Sequence, residues 1–311
     1  MNPTDRLIAT TPPENVDSQV APRRGDARFA LPPVAAVLLA IVSVQGGAAI
    51  AKRLFPVLGA TGTTGIRIGL SAAMLMLLFR PPVRTLTARQ WRLVGAYGLV
   101  LAAMTLLFYR ALERIPLGLA VTLEFLGPLA LAVAGSRRAL DFVWVALAAG
   151  GVMLIAPWSG SGVDLTGAIF AVLAAACWAG YIVLGGRVSR LLPSGHAVAL
   201  GLSVATVAVL PFSLADGGLA HLTLPLLGAG AALALLSSAL PFTLEMQALG
   251  AMPARTFSIL MSLEPAVAAV CGLLFLREHL TAAQWTAVAL VIAASAGATA
   301  TARTVPVHVE S

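Results

Sequence analysis

Four ionisable residues, Arg67, Glu124, Glu245 and Glu264, each lie within a long apolar run. A charge at the centre of a bilayer costs about 2.5–3.5 kcal/mol on insertion scales, so four uncompensated ones would cost on the order of ten, comparable with a domain's net stability. Each must therefore be paired, protonated or facing a wet cavity. Glu124 is the most informative. Pro128, four residues on, removes the hydrogen bond that the Glu124 carbonyl would accept, so a carboxylate and a free carbonyl coincide at a kink. Irregular backbone at membrane depth is tolerated where it lines a cavity. Glu264 directly precedes Pro265, and Glu245 follows Pro241 towards the cytoplasmic end of its run. The competing reading of each is a neutral glutamate hydrogen-bonded between helices. Arg67 could bind a substrate carboxylate, but the favoured expectation is that it is the fixed partner of an intramembrane glutamate.

Neutral residues extend the candidate set. Ser43 and Gln45 lie beside Gly46-Gly47, where little side chain blocks access, and Tyr109 ends an apolar run. Trp178 and Tyr181 are three residues apart and share a helix face, although aromatic pairs in membrane helices also serve as packing or interfacial anchors. His196, His221, His279 and His308 fall near run ends or in connections, with no metal-ligand spacing. Cys177 and Cys271 read as small apolar residues. Gly-rich phosphate loops and the GxSxG pattern are absent. No catalytic group, metal site or cofactor is expected.

The elements that must position these residues are helices in lipid. The chain of 311 residues is 59% hydrophobic and 11% charged, too little charge to cover a water-soluble surface. A helix needs ~20 apolar residues to cross ~30 Å of hydrocarbon. Ten runs qualify, at roughly 31–51, 57–79, 91–109, 115–135, 141–158, 165–186, 194–214, 222–249, 253–276 and 281–302. The gaps are short and hold Pro, Gly or Arg, as at Arg80-Pro81-Pro82 and Ser159-Gly160-Ser161-Gly162, with no room for a soluble domain. The formal net charge of +7 belongs to these gaps and forms no nucleic-acid groove. Fourteen Arg fall on one side of the expected spans, and one Lys and four Arg on the other. The positive-inside rule therefore puts both termini in the cytoplasm of a multi-pass inner-membrane protein. Residues 1–28 are expected to be a disordered cytoplasmic arm rather than a cleavable signal, and 303–311 a cytoplasmic tail.

The two halves repeat at an offset of 137 residues. Arg53-Leu54-Phe55-Pro56 maps onto Arg190-Leu191-Leu192-Pro193, Pro116 onto Pro253, and Pro128 onto Pro265. The expected fold is an all-α membrane protein of ten transmembrane helices in two five-helix repeats, 29–158 and 159–302. Five is odd, so the copies must be inverted, an architecture that secondary transporters use for alternating access around a midplane site. Glu124 and Glu264 would then approach the pseudo-twofold axis from opposite halves.

Several stretches carry a family resemblance. They include Ile115-Pro116-Leu117-Gly118-Leu119-Ala120-Val121-Thr122-Leu123-Glu124-Phe125 with Gly127-Pro128, Asp164-Leu165-Thr166-Gly167, and Ala176-Cys177-Trp178-Ala179. The fullest runs from Ser238 through Pro241, Glu245 and Pro253 to Glu264-Pro265. Across roughly 30–302 the chain resembles EamA-type members of the drug/metabolite transporter superfamily, and among them the RhtA-like threonine/homoserine exporters. The resemblance implies a proton-driven exporter of small amino acids, with a central cavity between the repeats. Its partners would be a small amino acid, protons and the lipid bilayer, with no nucleic acid. Another metabolite or a drug as cargo is the nearest alternative, and a membrane-embedded enzyme a distant one.

Overall fold

Pro33 opens the first helix at a position where its missing N–H costs nothing, and helix continues for 47 residues (α1, Pro33–Phe79). A straight helix of that length would reach about 70 Å, more than twice the ~30 Å of hydrocarbon. It is in fact two legs, 33–58 and 60–79, hinged at Gly59, whose φ of 66° suits glycine and strains other residues. The stretch Lys52–Pro56, expected from its polarity to be a connection, is helical, and the chain reverses three residues after Pro56. This computed structural model describes residues 31–134, 139–155, 163–252 and 254–301. The expected arm at 1–28, the tail at 303–311, the Ser159–Gly162 connection and the repeat proline Pro253 lie outside the described residues.

The remaining helices are α2 (Ala88–Leu112), α3 (Leu117–Glu124), α4 (Leu126–Ala134), α5 (Ala139–Ile155), α6 (Leu165–Val188) and α7 (Ser194–Ala215). After them come α8 (Leu224–Ala234), α9 (Leu240–Ala251), α10 (Ala254–Met261), α11 (Glu264–Cys271) and α12 (Ala282–Thr301). Caps start several of them. The Thr87 hydroxyl and the Gln90 side chain form a reciprocal capping box on α2, and the Asp164 carboxylate accepts from the Gly167 N–H at α6. That bond, and then Arg114, hold the Asp164 carboxyl below its ordinary range. Its contribution to α6 is present above that range and lost as pH falls through the lowered value.

Three expected spans are broken, the first beside the kink expected at Glu124. The 115–135 run is interrupted at Phe125, between α3 and α4. A π-helical turn, Leu235–Ala239, with the Leu240 N–H bonded to the Leu235 carbonyl, separates α8 from α9. The 253–276 run breaks at Ser262–Leu263, and its end widens into a second π-helical turn, Gly272–Leu276. A proline explains each interior break. Pro128, Pro241 and Pro265 leave the carbonyls of Glu124, Ser237 and Met261 without their usual partner, and the helix must loosen there.

Among the described residues the chain is helical with no strand. Seven helical stretches among the described residues are long and apolar enough to cross a membrane, the first of them the two-legged α1, and Leu117–Leu131 and Phe142–Leu154 are shorter apolar stretches. The outer surface is apolar: Leu77, Phe142, Val207, Leu224 and Leu274 are exposed. Water could not hold such a surface, so its solvent is lipid. Inside, α1 packs along α7, α2 along α6, α5 against α12 and α3 against α11. Small residues allow the last of these. A Cβ on Gly118 would lie 2.6 Å from the Ala269 Cα, so the two backbones are in contact.

Candidate functional site

The breaks in α3–α4, α8–α9 and α10–α11 all face one cavity of about 250 Å³. Glu124 is the last residue of α3, where Pro128 frees its carbonyl. Glu264 is the first residue of α11, held where the helix N-terminus favours negative charge. Glu245 lies in α9 beyond Pro241. All three line the cavity, together with Gln45 and Arg67 of α1, Tyr109 of α2, and Trp178 and Tyr181 of α6. The eight sequence-selected residues are thus brought to one place, from six helices.

Their contacts differ. The Gln45 Nε2 donates to Glu264 Oε1 at 2.9 Å, a buried bond joining α1 to α11. Glu264 is 8% exposed, and its Oε2 and the Gln45 Oε1 have no hydrogen-bond partner among the described residues. Two buried acceptors are therefore left without a donor on this pair of side chains. Trp178 meets Phe125 edge to face at 5.0 Å, packing α6 against the α3–α4 break. Tyr181 stacks on Tyr97 at 4.9 Å. These aromatic contacts order the wall without filling the cavity.

Arg67 lies close enough to Glu124 for their opposite charges to attract. Among the described residues it makes no ion pair with a glutamate. Its guanidinium instead lies 5.4 Å from the centre of the Tyr109 ring, in cation–π contact. The ring offers a negative face without neutralising the charge.

Sequence reading did not single out Ser71, Thr105, Ser237 or Ser238, which also line the cavity. Ser71 and Ser238 hydroxyls bond at 2.8 Å, and the Ser43 hydroxyl donates to the Leu236 carbonyl at 2.7 Å. These bonds fasten the π-helical turn to α1. Pro241 was the available signal, since a proline loosens the turn before it and Ser237-Ser238 fall in that turn.

Beyond one end of the cavity, a polar cluster ties the helices together. Lys52 Nζ pairs with Glu278 Oε1 at 2.5 Å and donates to the Ile115 carbonyl at 2.8 Å. Glu278 Oε2 accepts from the Leu117 N–H at 2.8 Å, and Glu113 Oε1 from the Ala60 N–H at 2.9 Å. Arg110 reaches both Glu113 and Asp216 at 3.4 Å, and Arg53 donates to the Phe275 carbonyl. Lys52 and Glu278 are mostly buried, so Glu278→Ala strands both a cation and a backbone N–H. We expect it to cost about 2–4 kcal/mol, read as a lowered unfolding temperature in detergent. An unchanged melting curve would mean that the cluster does not hold this end.

Lipid-facing helices around a polar cavity at membrane depth define a polytopic α-helical membrane protein with an internal binding site. Residues 165–300 match the EamA-like transporter family. The chain is 46% identical over 278 residues to the threonine/homoserine exporter RhtA of Salmonella typhimurium, covering 88% of this chain and 93% of that protein. Against the threonine/homoserine exporter RhtA of Escherichia coli strain K12 it is 46% identical over 275 residues, 87% and 92% of the two chains. The chain therefore belongs to the EamA-like transporter family, as an RhtA-like member. A crystal structure of a protein 20% identical covers 87% of this chain and 99% of its own at a TM-score of 0.54, which is a likeness of fold.

Proposed function

We propose that the protein exports small zwitterionic amino acids of the threonine/homoserine kind across the inner membrane, in exchange for protons and by alternating access. The observation that carries this reading is one membrane-depth cavity holding three glutamates and an Arg67 that makes no ion pair among the described residues. An amino acid needs acceptors for its ammonium and a donor fork for its carboxylate. The unpartnered Glu264 Oε2 and Gln45 Oε1 serve the first, and Arg67 the second. A cavity of about 250 Å³ falls below the ~300–1,000 Å³ usual for drug-sized ligands, which favours a small cargo. The names of the relatives point the same way.

Alternating access rests on the inverted repeat. Left-handed backbone ends the second leg of α1 at Arg80 (φ 47°) and follows α7 at Gly217 (φ 71°), 137 residues apart. The helix breaks at Phe125 and at Ser262 stand at the same spacing. In this reading there are ten crossings, counting the two legs of α1 and joining α3 to α4, α8 to α9 and α10 to α11. The polar cluster around Lys52 and Glu278 closes the outer end.

Orientation has support beyond counting. Lys52, Arg110 and Arg114 pair with Glu278, Glu113, Asp216 and Asp164, and Arg53 caps a carbonyl, so positive charge on that face is largely neutralised. On the other face Arg80, Arg84, Arg89, Arg92, Arg187 and Arg190 make no ion pair among the described residues. That face holds the uncompensated positive charge and is the cytoplasmic one. Alkaline phosphatase, active only in the periplasm, is expected to be silent when fused after Thr301 and active when fused after Gly217. The reverse pattern would overturn both orientation and span count.

Transport is tested in proteoliposomes with an acidic lumen. Outward proton flow should drive labelled threonine inward, and a protonophore should abolish it. Threonine accumulation indifferent to the gradient would remove the proton. Phe108, Trp178, Phe242 and Leu101 give part of the wall an apolar surface, so leucine and phenylalanine belong in the same assay. Their movement without threonine would replace the cargo and keep the fold.

A further inference from the structure

We propose that the groove between the start of α2 and the end of α6 binds the phosphate headgroup of an anionic membrane lipid. Arg89, Arg92, Arg187 and Arg190 line one surface pocket of about 540 Å³, with Leu93 and Leu191. Four cations converge there, and none is ion-paired among the described residues, whereas Lys52, Arg110 and Arg114 at the opposite end of the helices are. Positive charges held together repel, and an anion with several oxygens offsets that cost. Arginine forks match phosphate geometry in particular.

The surroundings select a lipid over a free ion. Trp91, between Arg89 and Arg92, is 38% exposed, and an exposed tryptophan at the end of an apolar helix marks headgroup depth. Leu99 on α2 and Ile182 and Val183 on α6 are exposed further along the same helices, so apolar surface for acyl chains continues below the pocket. Basic pockets between transmembrane helices are suited to anionic headgroups. α2 and α6 pack along one another and come from opposite halves of the chain. A headgroup held by arginines of both bridges the halves on the face away from the Lys52–Glu278 cluster.

The experiment measures retention of phosphatidylglycerol against phosphatidylcholine by the purified full chain, by native mass spectrometry. Wild type should prefer phosphatidylglycerol. Each arginine removed should weaken that preference about five-fold, so Arg92→Gln/Arg187→Gln should lose roughly twenty-five-fold. Arg80→Gln/Arg84→Gln removes equal charge outside the pocket and should change it little. Arg92→Lys/Arg187→Lys keeps the charge without the fork, should fall in between, and decides the matter if the glutamine pair does not fold. Equal retention of both lipids by wild type overturns the proposal, as does equal loss in the Arg80/Arg84 pair. Displacement of phosphatidylglycerol by inorganic phosphate alone would assign the pocket to the free ion instead.

Discussion

Glu124→Gln is expected to leave the protein folded and inserted while lowering export at least about thirty-fold. Glu124 and Arg67 face one cavity, and loss of one partner of a buried charged interaction costs about 2–5 kcal/mol. Glutamine has nearly the shape of glutamate, so packing at the end of α3 and against the Phe125–Trp178 pair should survive. The substitution removes the ability to carry a full negative charge and to exchange a proton at the α3–α4 break. If Glu124 only packed helices together, an amide there would be harmless. Export is measured as external threonine from cells preloaded with a threonine dipeptide, with protein quantified in the membrane fraction and its melting curve recorded. Undiminished, gradient-dependent export by correctly inserted Glu124→Gln would reduce Glu124 to a structural residue.

The residues of the cavity were legible because their chemistry is costly in hydrocarbon. Glu124, Glu245, Glu264, Gln45 and Arg67 can sit in apolar runs only if they turn inward, and one cavity collects them. The contact of Arg67 with Tyr109 was not legible. It depends on which way the second leg of α1 faces, and a π face on Tyr109 is a partner that counting carboxylates misses. The kink beside Glu124 was legible from Pro128, whereas the break at Ser262–Leu263 escaped for another reason. A twenty-residue hydropathy average is blind to one missing hydrogen bond, although Pro265 announced where it would fall. The Lys52–Glu278 cluster joins positions 226 residues apart, so no local pattern contains it. Gly59 shows the limit of composition: Lys52, Arg53 and Pro56 looked like a connection, yet the chain turns only where glycine permits a positive φ.

Glu124 and Glu264 are expected to act as a coupled pair rather than as independent contributors. They reach one cavity from opposite halves of the chain, Glu124 at the end of α3 and Glu264 at the start of α11, and those two helices pack directly on each other. Charge placed on one is felt by the other, because buried charges are screened much less than exposed ones. Neutralising either therefore changes the condition under which the other exchanges protons with its surroundings. A rocking motion of one half against the other would alter both environments together, and such a motion is what alternating access requires. Glu124→Gln, Glu264→Gln and the double substitution should then be non-additive, with an interaction of about 0.5–3 kcal/mol in transport rate. The pH profile of each single variant should also move relative to wild type. Gln45→Leu gives an internal control, because it removes the 2.9 Å bond to Glu264 Oε1 and leaves both carboxylates in place. It should weaken cargo binding and preserve the coupling. A double variant whose loss is the sum of the singles, with unmoved pH profiles, would make Glu264 structural. Glu245, on the same cavity wall in α9, would then be the better second carboxylate.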